Sequence, residues 1–171
     1  MTKKTATVRS ANADEIYMSR YLILKTKNGT TEGIDAEGNV RIFDTSASKI
    51  IADLCLSSCA TIDGRRSAAR EIFGWHQKVP VLISELTQEI WFPLAGEKAE
   101  ENCWISYGCV FSFHKENEYQ TRIVFINGTK ETVDANVRTV RMQMRRCEEM
   151  LKYLNEQKEN QSFVHGIEIL K

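Results

Sequence analysis

The stretch Cys55–Pro93, CLSSCATIDGRRSAAREIFGWHQKVPVLISELTQEIWFP, with Cys103-Trp104-Ile105-Ser106 following an acidic loop, sets a helix directly against strands. Asp63 is placed to cap a short helix from Gly64 to Phe73, which Gly74 closes. Ala69, Ile72 and Phe73 supply its apolar side, and Arg66 and Arg70, four apart, share one face. Val79–Ile83 and Glu89–Phe92 are short apolar runs around a turn, and Pro93 ends the second. At the centre stands Gly64-Arg65-Arg66, a glycine followed by two guanidinium groups.

Working outward, residues 1–14 read as a flexible basic arm, residues 15–160 as a single domain and residues 161–171 as a C-terminal tail. Tyr21–Lys25 is a strand ending at the turn signal Asn28-Gly29, and Val40–Phe43 is a second extended segment after Glu37-Gly38-Asn39. Thr45 or Ser46 caps a helix carrying Ile50, Ile51, Leu54 and Cys55 at helical spacing. Cys103–Phe113 alternates imperfectly. Ile123–Ile126 stops at Asn127-Gly128, a strong hairpin signal, and Thr129–Val133 returns. Three or four antiparallel strands are expected in the core sheet. A helix from about Asn136 to Glu159 places Val137, Val140, Met144, Cys147, Leu151 and Leu154 on a heptad-like seam, with Arg138, Arg141 and Arg145 beside it. The spacing leaves open whether the seam packs on the sheet or on a second helix. The predicted class is α+β: a mainly antiparallel β-sheet with a central helix pair and a long C-terminal helix.

Composition narrows the function classes. The chain has 171 residues, 42% of them hydrophobic, enough for a proper core in one domain. No apolar run approaches the ~18 residues that span a bilayer, and Met1-Thr2-Lys3-Lys4-Thr5 lacks the apolar segment of a signal peptide. A cytoplasmic protein is the expectation. Lys plus Arg and Asp plus Glu both number 23, so the net charge is zero. That argues against coating nucleic acid by bulk charge but leaves room for a local basic footprint. The charge is unevenly laid out, basic over residues 1–30 and acidic over 84–118.

Signals for chemistry are sparse. Of five cysteines, Cys55 and Cys59 lie four apart and Cys103 and Cys109 six apart, a poor match to zinc spacing; buried thiols fit better. His76, His114 and His165 sit in no metal motif, and nucleophile elbows and phosphate-binding glycine loops are missing. A Cys103–His114 pair is the kind of coincidence that most chains of this length offer. No enzyme activity, metal or cofactor is expected. Nucleic-acid binding has more support. Arg65, Arg66 and Arg70 lie on one short helix, and Trp75, His76 and Lys78 follow it, placing planar guanidinium forks beside aromatic and basic groups. The competing reading, a solvated face pairing with Asp63 and Glu71, has equal weight on spacing alone.

The ordered series Cys55, Gly64-Arg65-Arg66, Val79-Pro80-Val81-Leu82-Ile83, Gln88-x-Ile90-Trp91-Phe92-Pro93, Trp104-Ile105-Ser106 and Phe125-x-Asn127-Gly128 resembles the ComK family of competence transcription factors. The resemblance covers roughly residues 15–150 and rests on the series rather than on any one motif. It implies a transcriptional activator that binds A/T-rich double-stranded DNA largely through the minor groove. It also implies a homodimer or higher oligomer on DNA, genes for DNA uptake as targets, and turnover through an adaptor and a protease. Arg65 and Arg66 carry over as the foremost DNA contacts, with Arg70 and Lys78 beside them. Three departures stand out: Thr61-Ile62 replaces a Ser-Tyr pair, Asp63 puts a negative charge beside the arginines, and the tail is short. They leave a second reading, a related protein-interaction regulator without DNA affinity.

Overall fold

Asn28 and Gly29 both take positive φ, 51° and 78°, the pairing a two-residue hairpin turn needs so that its twist matches the flanking strands. They join β2 (Tyr21–Lys27) to β3 (Thr30–Asp35), and β4 (Val40–Phe43) continues the meander. A computed structural model describes the backbone of residues 5–7 and 20–169 and the side chains of residues 20–161. Of the expected basic arm, only β1 (Thr5–Thr7) lies within the described residues, pairing in parallel with β4.

Two helices follow. Ser46 caps α1 (Ala47–Ser57), its side chain accepting from the Lys49 amide. The next is α2 (Ile62–Phe73). Then come β5 (Val81–Ser84), β6 (Glu89–Pro93) and β7 (Cys103–Ser106). Together with β1–β4 they form a seven-stranded sheet in the order β1-β4-β3-β2-β7-β6-β5, antiparallel except at β1–β4. The core sheet is thus larger than the three or four strands expected.

Cys103–Phe113 is two strands rather than one. A 3-10 turn at Tyr107–Cys109 carries the chain from β7 into β8 (Val110–Lys115), which belongs to a second sheet with β9 (Thr121–Phe125) and β10 (Lys130–Val133), in the order β10-β9-β8. The imperfect alternation over that stretch is this change of sheet. The hairpin read at Asn127-Gly128 joins β9 to β10, with Gly128 at φ 84°. The last element, α3 (Val137–Ile169), outruns the helix expected to Glu159 and continues into the segment read as a tail.

Both faces of the large sheet are covered, so its central strands are apolar on both sides. Tyr21, Leu24, Val81, Ile83, Trp91 and Trp104 face α1, packing against Ile50, Ile51, Leu54 and Cys55. Leu22, Ile23, Leu82, Ile90, Phe92 and Ile105 face the other way, onto Ile123 and Phe125 of the small sheet and Val140, Cys147 and Met150 of α3. The α3 seam is therefore spent on this chain's own core. Gly33 sits where β-carbon atoms have no room: one there would lie 2.9 Å from Phe43 and 3.1 Å from Leu24 and Tyr21. Among the described residues there are three α-helices around two mostly antiparallel sheets, an α+β fold, and none of the helices is long and apolar enough to cross a membrane.

Candidate nucleic-acid interface

The helix bearing the arginines starts two residues earlier than Asp63 suggested. Thr61 is the cap, its Oγ1 accepting from the Gly64 amide at 3.0 Å. Asp63 lies in the first turn, where a carboxylate favours the positive end of the helix dipole. The glycine of Gly64-Arg65-Arg66 has a local cause: a β-carbon at position 64 would lie 2.9 Å from Thr61 Oγ1, against the cap itself. At the far end Gly74 takes φ 70° and returns its amide to the Arg70 carbonyl, as expected.

Helical spacing then sorts the arginines. Ile62, Arg66, Ala69 and Phe73 share the inward stripe. Arg66 is accordingly 8% exposed, its guanidinium 5.9 Å from the Trp104 ring centroid, with Asp63 at 3.9 Å and Glu97 at 3.7 Å. Arg65 is half-buried and donates to Glu85 at 2.7 Å. Arg70 pairs with Glu97. Ile72, expected on the apolar side, is instead exposed. The two main carboxylate partners come from the acidic segment that follows in sequence, not from Glu71.

Lys78 sits apart from these three. It adopts φ 51°, and its carbonyl accepts from Gln143 Nε2 and Arg146. Its half-buried side chain borders a hollow of about 660 Å³ shared with Asn117, Glu118, Asp134 and Thr139. Trp75 stacks on Phe73, with ring centroids 4.3 Å apart, and carries the Arg146 guanidinium 5.4 Å above its own ring. Arg65 lines a groove with Gln157 and Gln161, whereas Trp75 meets α3 near Arg145 and Glu149. The Gly-Arg-Arg turn and Trp75 thus lie at opposite ends of α2, about 15 Å apart.

Sequence reasoning gave no role to the first turns of α3. Arg138, Arg141 and Arg145 are exposed there, at steps of three and four, around a concavity of about 400 Å³ that also borders Trp75, Arg146 and Glu149. Among the described residues, none of the three has a carboxylate within 4.0 Å. The signal was present as an arginine periodicity, but nothing local showed that it would stay unpaired.

The thiols and histidines form no comparable arrangement. Cys103 lies in the large sheet and His114 in the small one, where it bonds Ser112 at 3.2 Å. Burial pushes the Cys103 thiol up to about 12 and the Cys55 thiol to about 11, the latter against the pull of Arg65 and Arg66. Such thiols are mostly protonated at neutral pH and are weak nucleophiles. All five cysteines are free.

No curated protein and no solved structure matches this chain. The sequence model described as "ComK protein" does, over residues 14–159. That span runs from before β2 into α3, taking in every strand but β1, the capped arginine helix and the arginine-bearing turns of α3. The chain belongs to the ComK family, a family of competence-related transcription factors and not of enzymes.

Proposed function

We propose that this protein is a cytoplasmic transcriptional activator of DNA-uptake genes that binds A/T-rich double-stranded DNA largely through the minor groove. Family membership supports the regulatory class. The observation that carries the reading to residues is the state of Arg65 and Arg70. Both project from a helix fixed at its two ends, and each is held by a surface carboxylate, Glu85 or Glu97, of which Glu85 is 63% exposed. The arginine side chains are 19% and 32% exposed and the carboxylates stand nearer solvent; pairs at the surface contribute about 0–1 kcal/mol, so a phosphate or groove edge can take the carboxylate's place. Arg66, lodged on Trp104, orients the helix, and Lys78 serves the neighbouring surface. Few arginines are needed for groove insertion, which suits a chain of zero net charge.

One observation favours the second reading, a regulator that acts through protein contacts alone: each arginine of α2 has a carboxylate of this chain within 4.0 Å. A gel-shift titration on duplexes with paired A- and T-tracts, beside a G·C-rich control at several salt concentrations, separates the two. Selective binding of the A/T duplex is expected. Arg65→Ala with Arg70→Ala should weaken it several-fold or more, since each lost contact costs roughly 1 kcal/mol or above. Absence of DNA binding would overturn the first reading.

A further inference from the structure

We propose that Arg138, Arg141 and Arg145 form a second DNA-contacting surface, one that grips the phosphate backbone and is distinct from the arginines of α2. The inference rests on the reading that the chain binds DNA, and it names a part of the interface which that reading does not supply.

Local energetics run against these three residues where they stand. Arg138 is in the first turn of α3, which carries no acidic residue. The free amides there make the helix end positive, so a cation is disfavoured. Arg141 follows it at three residues and Arg145 follows Arg141 at four, the spacings at which like charges repel along a helix. The remedy used elsewhere in the chain is a carboxylate: Arg65 has Glu85, Arg70 has Glu97 and Arg122 has Glu116. Among the described residues it is not used here. Glu148 and Glu149 follow Arg145 at three and four residues but neither closes to ion-pair distance, Glu149 lying at the edge of the concavity, and Glu118 faces Arg138 only at long range. A cluster of cations placed against local preference, in a chain with as many acids as bases, points to an anion supplied from outside.

The setting also fits a nucleic-acid backbone. Arg146 donates to the Gln77 and Lys78 carbonyls and rests on Trp75, so it anchors the floor rather than reaching out. The other three stand on a rigid helix over roughly 10 Å of its axis, about the rise of three nucleotides in one DNA strand at ~3.4 Å each. Charged side chains dominate the lining of the concavity, with Met142 and the buried Trp75 as its apolar members. That favours a highly charged, regularly spaced ligand over a protein surface, which needs a larger apolar centre. Backbone contacts of this kind position a protein without reading sequence.

The test is fluorescence anisotropy on the A/T duplex and its G·C-rich counterpart with Arg138→Gln, Arg141→Gln and Arg145→Gln combined. Lys27→Gln, Arg122→Gln and Lys130→Gln together serve as a control with the same loss of positive charge elsewhere. A thermal melt is run on each, and the α3 variant should melt at or above the parent temperature. Its affinity for both duplexes should fall roughly tenfold or more, with the slope of log affinity against log salt reduced by about 2 to 3, at ~0.9 per lost phosphate contact. The A/T preference should persist. An unchanged slope overturns the inference while leaving the A/T reading intact, and passes the stripe to an acidic protein partner. An equal effect in the control variant overturns it too, by making the loss one of bulk charge. Loss of affinity in the α3 variant of a parent protein that lacks base preference upholds it and removes the A/T reading. A parent protein that binds no DNA removes both.

Discussion

Arg66 and Arg65 are neighbours in sequence with different partners, and their substitution should separate stability from binding. Arg66 stacks its guanidinium on Trp104, a ring with no exposed surface, and buries its aliphatic stem. Arg66→Ala should cost about 1–3 kcal/mol through lost packing and cation–π contact, read as a lower urea midpoint. Arg65→Ala removes a pair on an exposed carboxylate and should cost under about 1 kcal/mol. A midpoint equally insensitive to both would refute the assignment of Arg66 to the interior. The thiols give a second test at this scale. Burial holds Cys55 and Cys103 protonated, moving them from 9.0 to about 11 and about 12. A pKa raised on folding stabilises the native state fully below the unfolded value, and that contribution is lost as pH climbs through the folded one. Stability should therefore decline from about pH 9 toward pH 11–12, on the order of 1 kcal/mol per pH unit for each thiol that titrates this way, and substituting Cys55 with alanine should flatten the decline. Exposed Cys59 should be the first thiol alkylated in the native protein.

At the scale of elements, α2 shows what a motif conceals. Gly64-Arg65-Arg66 invites a phosphate-binding interpretation, yet the glycine also has a local role: a β-carbon there would crowd the Thr61 hydroxyl that caps the helix, at 2.9 Å. Thr61→Ala should destabilise by about 1 kcal/mol. Gly64→Ala should give a similar loss by forcing the cap aside, despite alanine's better helix propensity. Circular-dichroism melts of both check this, and a Gly64→Ala protein more stable than the parent would remove the cap explanation. Helix boundaries, turn residues and most strands were legible because capping side chains, Asn-Gly pairs and apolar periodicity are local. The N-cap was misplaced by two residues because Thr61 and Asp63 are both good caps, and only the fold of the preceding turn chooses between them. The division of Cys103–Phe113 between two sheets was illegible for a related reason: both halves read as strand, and the partner of each lies far along the chain.

Across the whole molecule, α3 is fastened by Gln143, fully buried, whose amide donates to the carbonyls of Lys78 and Pro93. Gln143→Leu fills similar space but takes the donor from the Pro93 carbonyl and leaves that of Lys78 to Arg146 alone, a loss of about 1–3 kcal/mol. Hydrogen exchange should then quicken in α3 and at the end of β6 before it does in β2 and β3. Uniform acceleration would mean that α3 does not release as a unit. Lys25–Glu131 at 2.6 Å and Asn127 to the Ala36 carbonyl at 2.7 Å tie the small sheet to the large one in the same way.

By itself the sequence determined the α+β class, the three helices and several of the strands, the capped arginine helix and the family, since each of these is carried by short-range pattern or by an ordered series of residues. Tertiary structure decided which arginines are neutralised. Glu85 and Glu97 are brought to α2 by the β5–β6 region and the loop after it, while the first turns of α3 meet Trp75 and Arg146 and gain no carboxylate within ion-pair reach among the described residues. Ion pairing depends on distances of a few ångströms between segments remote in sequence, and neither charge counts nor spacing contain those distances.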